Sequence, residues 1–163
     1  MLGQLFVLAA LLVFGVISAA VVVLLGIRAK VPLAIDVLRR FSRLFNPMQM
    51  RTAGTPGAYA SVVRHRGRAS GRSYETPVGA VATEDGFVIA LPYGSRANWL
   101  RNVLASGSAT IVNDGRAYPV DQPEVIPLEL VATRFSASDQ RSHRLFRVDQ
   151  CLRVRRVESA EAA

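Results

Sequence analysis

The sequence predicts a mainly β (α+β) protein: a small antiparallel barrel with flanking helices, preceded by one N-terminal transmembrane helix. Three observations carry this reading. No charged residue precedes Arg28, so the chain opens on a long apolar run. Short β-branched or aromatic segments joined by glycine-bearing turns follow it. The βαβ alternation that builds a parallel sheet is missing, so hairpins predominate. With 163 residues the chain has room for one compact domain and an appendage.

The apolar run extends from Leu5 to Ile27, interrupted only by the small residues Gly15, Ser18 and Gly26. A helix rises about 1.5 Å per residue, so this run spans roughly 30 Å, the thickness of a bilayer core. A secretory signal peptide would carry a basic stretch before a shorter apolar core, and neither feature is present. Ser18-Ala19-Ala20 offers small residues for cleavage, yet Val21 to Leu25 continue the run past them. An uncleaved anchor is therefore expected. Arg28, Lys30, Arg39, Arg40 and Arg43 all follow the span and none precedes it, which by the positive-inside tendency places the rest of the chain in the cytoplasm, at the cell membrane.

From Pro32 to Phe45, Leu33, Val37, Leu38, Phe41, Leu44 and Phe45 recur at three- and four-residue spacing, with Asp36 and the arginines elsewhere. That spacing predicts an amphipathic helix, begun by Pro32 and stopped by Asn46-Pro47. Its apolar face either packs on the following domain or lies in the membrane interface with its arginines on anionic headgroups. Residues 48–57 lack periodicity and read as a linker. Strands are expected at Ala58 to His65, Glu75 to Thr83 and Phe87 to Pro92, with Glu84-Asp85-Gly86 turning a hairpin between the second and third. Two more, Ala109 to Asn113 and Ala117 to Gln122, flank Asp114-Gly115, a strong hairpin signal. Between them, Ser95 to Ser106 reads as a helix capped by Ser95 and ended by Gly107, with Trp99, Leu100, Val103 and Leu104 on its apolar face. A second helix is expected from about Pro127 and a last strand over Leu145 to Val157. The chain thus divides into an anchor (1–30), an amphipathic helix and linker (31–57), a barrel domain (58–157) and a disordered tail (158–163).

Nineteen arginines and Lys30 face twelve carboxylates, a net charge of +8 carried wholly after Ile27. Such a surplus attracts anions of any kind. The lone Cys151 rules out an intramolecular disulfide, and with only two histidines a Cys/His zinc site is not expected, so no metal is assigned. Redox chemistry would need an organic cofactor. Arg64, Arg66, Arg68 and Arg72 fall in a stretch without carboxylates, interleaved with Gly67, Ser70 and Gly71. Glycines let successive N–H groups turn into one concavity while guanidinium forks bind phosphate or carboxylate oxygens. A solvated basic surface is the plain alternative. Nucleic acid is not expected as a partner, because no binding module is present. His65 reads as a polar residue at a strand end. Further on, Leu91-Pro92-Tyr93-Gly94-Ser95 runs through a glycine turn into a helix N-terminus, a second anion site by virtue of its free N–H groups and dipole. Trp99 serves first as core packing of that helix.

Over roughly residues 58–126 the chain resembles the deazaflavin-dependent nitroreductases, small split-β-barrel oxidoreductases that use coenzyme F-420 and are also described as quinone reductases. The carriers are Gly67-Arg68-Ala69-Ser70-Gly71-Arg72, Thr76-Pro77, and Gly94-Ser95 with Asn98-Trp99-Leu100-Arg101-Asn102-Val103-Leu104-Ala105. The resemblance implies that Arg68, Ser70, Gly71 and Arg72, assisted by Arg66, bind the phosphate and glutamate tail of the coenzyme. It implies that Thr76, Pro77, Pro92, Tyr93, Gly94 and Ser95 border the deazaflavin ring, and that Asn98 and Trp99 sit at the cofactor end of the helix. The family's lysine beside the loop arginine is replaced by Ala69, and no tyrosine follows Tyr118, so substrate identity is not implied.

The reaction implied is hydride transfer from reduced F-420 to a quinone, nitro compound or similar conjugated acceptor. No catalytic side chain is assigned, since no Ser-His-Asp, paired-carboxylate or Cys-His spacing stands out. A membrane anchor would favour lipid-soluble acceptors such as menaquinone, with membrane lipid as a second partner and a homodimer as a further expectation. Two rivals stand beside this reading: a barrel that holds FMN or haem, and a non-enzymatic module whose arginine loop contacts anionic lipid.

Overall fold

The computed structural model describes residues 2–157, without the side chains at 2, 3, 5, 32, 35, 38, 39 and 41–45. The tail expected to be disordered, 158–163, lies outside the described residues. Helix α1 spans Leu2–Arg28. Phe6, Leu8, Leu12 and Phe14 are largely exposed along it. An exposed apolar surface of this size marks an interaction surface, and from Phe6 to Arg28 the helix is long and apolar enough to cross a membrane, with a mean hydropathy of 3.0. A tight turn through Lys30, with φ +54°, leads into α2, Pro32–Gln49. The two helices touch at Gly26, where a Cβ would stand 2.8 Å from that of Ala34. Pro32 occupies the first turn, but Asn46-Pro47 does not stop α2. Proline removes one N–H from the ladder near its end, and Met50 resumes bonding to the Asn46 carbonyl at 2.8 Å.

The linker is tied down by its backbone. Gly54 donates to the Ala60 carbonyl and accepts from the Gly115 N–H, each at 2.6 Å, and the Gly57 N–H reaches Asp114 Oδ1 at 2.9 Å.

A seven-stranded antiparallel sheet follows, built from β1 (Ser61–Arg66), β2 (Ser73–Val78), β3 (Ala80–Ala82), β4 (Gly86–Ala90), β5 (Ser108–Asn113), β6 (Arg116–Pro127) and β7 (Gln150–Arg156). Its order is β2-β1-β5-β6-β7-β4-β3. The strand expected over Glu75 to Thr83 is therefore divided. Only Gly79 separates β2 from β3, yet the first pairs with β1 and the second with β4. One segment thus supplies both ends of the sheet, which curls on itself as a split barrel. Asp114 and Gly115 both have positive φ, the geometry of a tight primed hairpin turn. Strand β6 runs past its expected end at Gln122. A bulge between Asp121 and Glu124, with Gln122 at φ +48°, absorbs Pro123 without ending the pairing.

The barrel interior holds Val63, Phe87, Ile89, Ile111, Val120, Leu152 and Val154, closed by Leu91, Leu100 and Val103. Leu100 and Val103 belong to α3, Asn98–Ser106, which ends at Gly107 with φ +71° and an N–H bond to the Val103 carbonyl. Ser95 does not cap it: the cap position is Ala97, whose methyl makes no hydrogen bond. Strand β4 is buried on both faces, and outward-facing Val88 packs with Ile126, Leu128, Phe135 and Cys151. The second helix is two elements. A 3-10 helix, Leu128–Arg134, precedes α4, Ala137–Phe146, because Ser136 accepts the Asp139 N–H and starts a new helix. Leu145 and Phe146 finish α4 and do not begin the last strand. Arg28 reaches across from α1 to donate to the Leu145 carbonyl, and Lys30 pairs with Asp149.

Candidate functional site

An open groove of about 2040 Å³ lies between the barrel and the N-terminal helices. One wall comes from the β1–β2 hairpin, the β4–α3 connection and the first turns of α3. Of the residues singled out from the sequence, Arg68, Ser70, Thr76, Pro77, Tyr93, Ser95, Asn98 and Trp99 line it. The arginine-rich loop and the tryptophan-bearing helix therefore border one space. Arg66, Gly71, Arg72, Pro92 and Gly94 do not line it. Alternation along β1 sends Arg66 to the exposed face, opposite buried His65. Gly71 and Gly94, at φ +65° and +67°, shape the two turns. Gly67 permits a close approach, since a Cβ there would stand 2.6 Å from Ser70 Oγ and 2.7 Å from the Tyr74 ring.

Loop and helix are joined through a residue the motif contains but to which no role was given. Asn102 Oδ1 accepts from the Arg68 backbone N–H at 3.2 Å and from Arg68 Nη1 at 2.8 Å. Its Nδ2 meets His65 Nδ1 at 3.2 Å, and His65 Nε2 meets Thr76 Oγ1 at 3.3 Å. Asn102 and His65 are each 7% exposed. Burial of such groups is tolerated because the network satisfies them. Burial also lowers the His65 pKa, against a smaller opposing pull from the Arg66 backbone. The Tyr74 ring stacks on His65 at 5.8 Å, and its hydroxyl lies 3.2 Å from Ser70 Oγ. His65 stands at the end of β1, one residue before Arg66, with its side chain buried. Alternation in step with Val63, which is buried, is the signal that places it inward.

Arg68, Arg96 and Arg101 give this wall its charge. Glu75, also on the groove, is engaged by Arg64 at 2.7 Å. The first-turn N–H groups of α3 have no side-chain cap, so an anion placed there meets their dipole directly. Trp99 both packs on the barrel core and lines the groove. The other wall is mostly apolar, with Ala19, Ala20, Val23, Leu24 and Ile27 of α1 and Leu145 and Phe146 of α4, but Asn46 and Gln49 of α2 add polar groups to it. Nothing in the sequence pattern signalled that the apolar helix would form a wall of this groove. Among the described residues no group of three or more His, Cys, Asp or Glu side chains stands ready to hold a metal ion.

No family model matches the chain, and no curated protein matches it. A solved structure described as a domain-swapped dimer aligns with 72% of this chain and 96% of its own at 13% identity, with a TM-score of 0.47.

Proposed function

We propose that the protein is a membrane-anchored oxidoreductase that transfers a hydride from reduced deazaflavin coenzyme F-420 to a quinone, nitro compound or similar conjugated acceptor. One observation carries this reading: the Arg68 loop and the uncapped N-terminus of α3 border a single groove whose facing wall is mostly apolar. The donor set suits the coenzyme. Arg68, Ser70 and the first-turn N–H groups of α3 bind an anionic tail, while Pro77, Tyr93 and Trp99 offer flat or apolar surface to a ring system.

When bound, the deazaflavin supplies the hydride. The chain's own contribution is to bind, orient and exclude water. Asn102 holds Arg68 in place from behind, so less side-chain entropy is lost when the guanidinium meets an anion. The α1 and α4 side chains make most of the facing wall apolar. Because that wall belongs to the helix able to cross a bilayer, a lipid-soluble acceptor such as menaquinone reaches the groove without passing through water. The cations that follow the span, from Arg28 onward, favour a cytoplasmic site.

The full-length protein in detergent is titrated with F-420 and with FMN, then mixed with reduced F-420 and a menaquinone analogue. Preferential F-420 binding and loss of reduced coenzyme on acceptor addition are expected. Preferential FMN binding, or no consumption with any quinone or nitro acceptor, overturns the reading.

A further inference from the structure

The chain of polar contacts from Arg68 to Thr76 has a direction that chemistry alone dictates. A guanidinium has donors and no acceptor, and a backbone N–H likewise only donates. Both Arg68 groups point at the same atom of Asn102, so that atom must be the amide oxygen, and the amide N–H₂ must face His65. A flipped amide would set N–H against N–H at Arg68. His65 Nδ1, facing an N–H donor at 3.2 Å, must accept and therefore carries no proton. A neutral ring then holds its proton on Nε2 and donates it to Thr76 Oγ1. Thr76 Oγ1 is thereby occupied as an acceptor from the ring side. Its own hydrogen is turned away from the imidazole, and Thr76 lines the groove.

We propose that Thr76 is the residue that donates a hydrogen bond to an acceptor atom of the bound molecule, a carbonyl oxygen or an unprotonated ring nitrogen, with Arg68, Asn102 and His65 as the positioning residues that set this direction. Identifying the acceptor as one on the deazaflavin ring rests on the proposed function; the polarity of the chain does not. The groups around His65 agree with a neutral ring. Tyr74 offers its ring face, its hydroxyl being engaged with Ser70. Glu75 is held by Arg64 on the opposite face of the hairpin. Arg68 approaches through Asn102. Only the Arg66 backbone favours a protonated ring, and burial acts against it more strongly. A second ring proton would put a donor on Nδ1 against the Asn102 amide, so protonating His65 and keeping the Arg68–Asn102 contact are mutually exclusive.

The test uses the full-length protein in detergent micelles. Long-range nitrogen–proton NMR of labelled histidine, with His65 assigned by its loss in His65→Gln, is expected to show the Nε2–H tautomer near neutral pH. An Nδ1–H tautomer overturns the proposal. Asn102→Asp offers a carboxylate to both Arg68 and the ring, and is expected to raise the His65 titration midpoint by about one pH unit or more; an unmoved midpoint counts against the chain. Titration with oxidised F-420 is expected to weaken about tenfold in Thr76→Val, the loss of one hydrogen bond, and to be restored in Thr76→Ser. Equal binding by wild type and Thr76→Val overturns the assignment of Thr76 as donor. If the wild type itself binds no F-420, the proposed function falls, and the tautomer still decides the polarity of the chain.

Discussion

Arg28 Nη1 donates to the main-chain carbonyl of Leu145 at 2.6 Å, so the last residue of α1 closes the C-terminal end of α4. A cation at a helix C-terminus satisfies an orphan carbonyl and the negative end of the dipole together. Arg28→Ala should cost about 0.5–1 kcal/mol and speed amide exchange in the last turn of α4, read by hydrogen–deuterium exchange. Lys30→Ala removes only an exposed ion pair with Asp149 and should cost no more than about 0.5 kcal/mol.

Gly86 opens β4 directly against β7. A Cβ there would overlap the Val154 carbonyl, a backbone atom that cannot move aside. Gly86→Ala should therefore destabilise by about 2 kcal/mol or more, seen as a lowered melting temperature. Gly71→Ala meets no atom within 4 Å and suffers only from its positive φ, so its cost should stay near about 1 kcal/mol.

Arg68 and Arg72 separate the two anion-binding readings. Arg68 lines the groove and is braced by Asn102, while Arg72 does not line it. Arg68→Ala should lower F-420 affinity about tenfold to a hundredfold, with Arg72→Ala closer to wild type. If both substitutions weaken vesicle binding equally and leave coenzyme affinity unchanged, the loop serves lipid instead.

Acid should destabilise the protein in a defined direction. Burial lowers the pKa of His65 and of His143, with Asp139 opposing it at the latter. The unfolded chain then binds more protons than the folded one below about pH 6.5, the ordinary imidazole range, so stability rises with pH across that window. Melting temperature should fall on acidification from pH 7, and His65→Gln and His143→Gln should each flatten part of the slope. At the alkaline end Tyr59, largely exposed but with its hydroxyl donating to Asp139 Oδ1 at 2.8 Å, is pushed up to about 12 by local desolvation of the hydroxyl and by that carboxylate, and the small stability it contributes is lost as pH rises above 10 toward that value.

The barrel was legible where local chemistry decides it. Asp114-Gly115 specifies its turn by positive φ, Gly107 ends α3, and the glycine-spaced arginines place their loop. What escaped depends on contacts distant in sequence. The bulge at Gln122 resembles a strand end until β7 is there to continue the pairing. Ser95 has the composition of a cap but lies three residues ahead of Asn98, where α3 starts. His65 and Asn102 are separated by 37 positions, and neither residue by itself announces that it will meet the other. The apolar wall of the groove was illegible for a related reason: a run suited to lipid carries no periodicity to say which of its residues will touch protein.

Gly79 hands the chain from β1 to β4, which leaves Ser73–Val78 with a neighbouring strand along one rim only, and that segment borders the groove. Main-chain carbonyls, and amides except at Pro77, on the open rim could meet a bound molecule, and no side-chain substitution deletes them. Alanine scanning will therefore understate this wall, and backbone ester replacement between residues 73 and 78 is the route to measuring what it contributes.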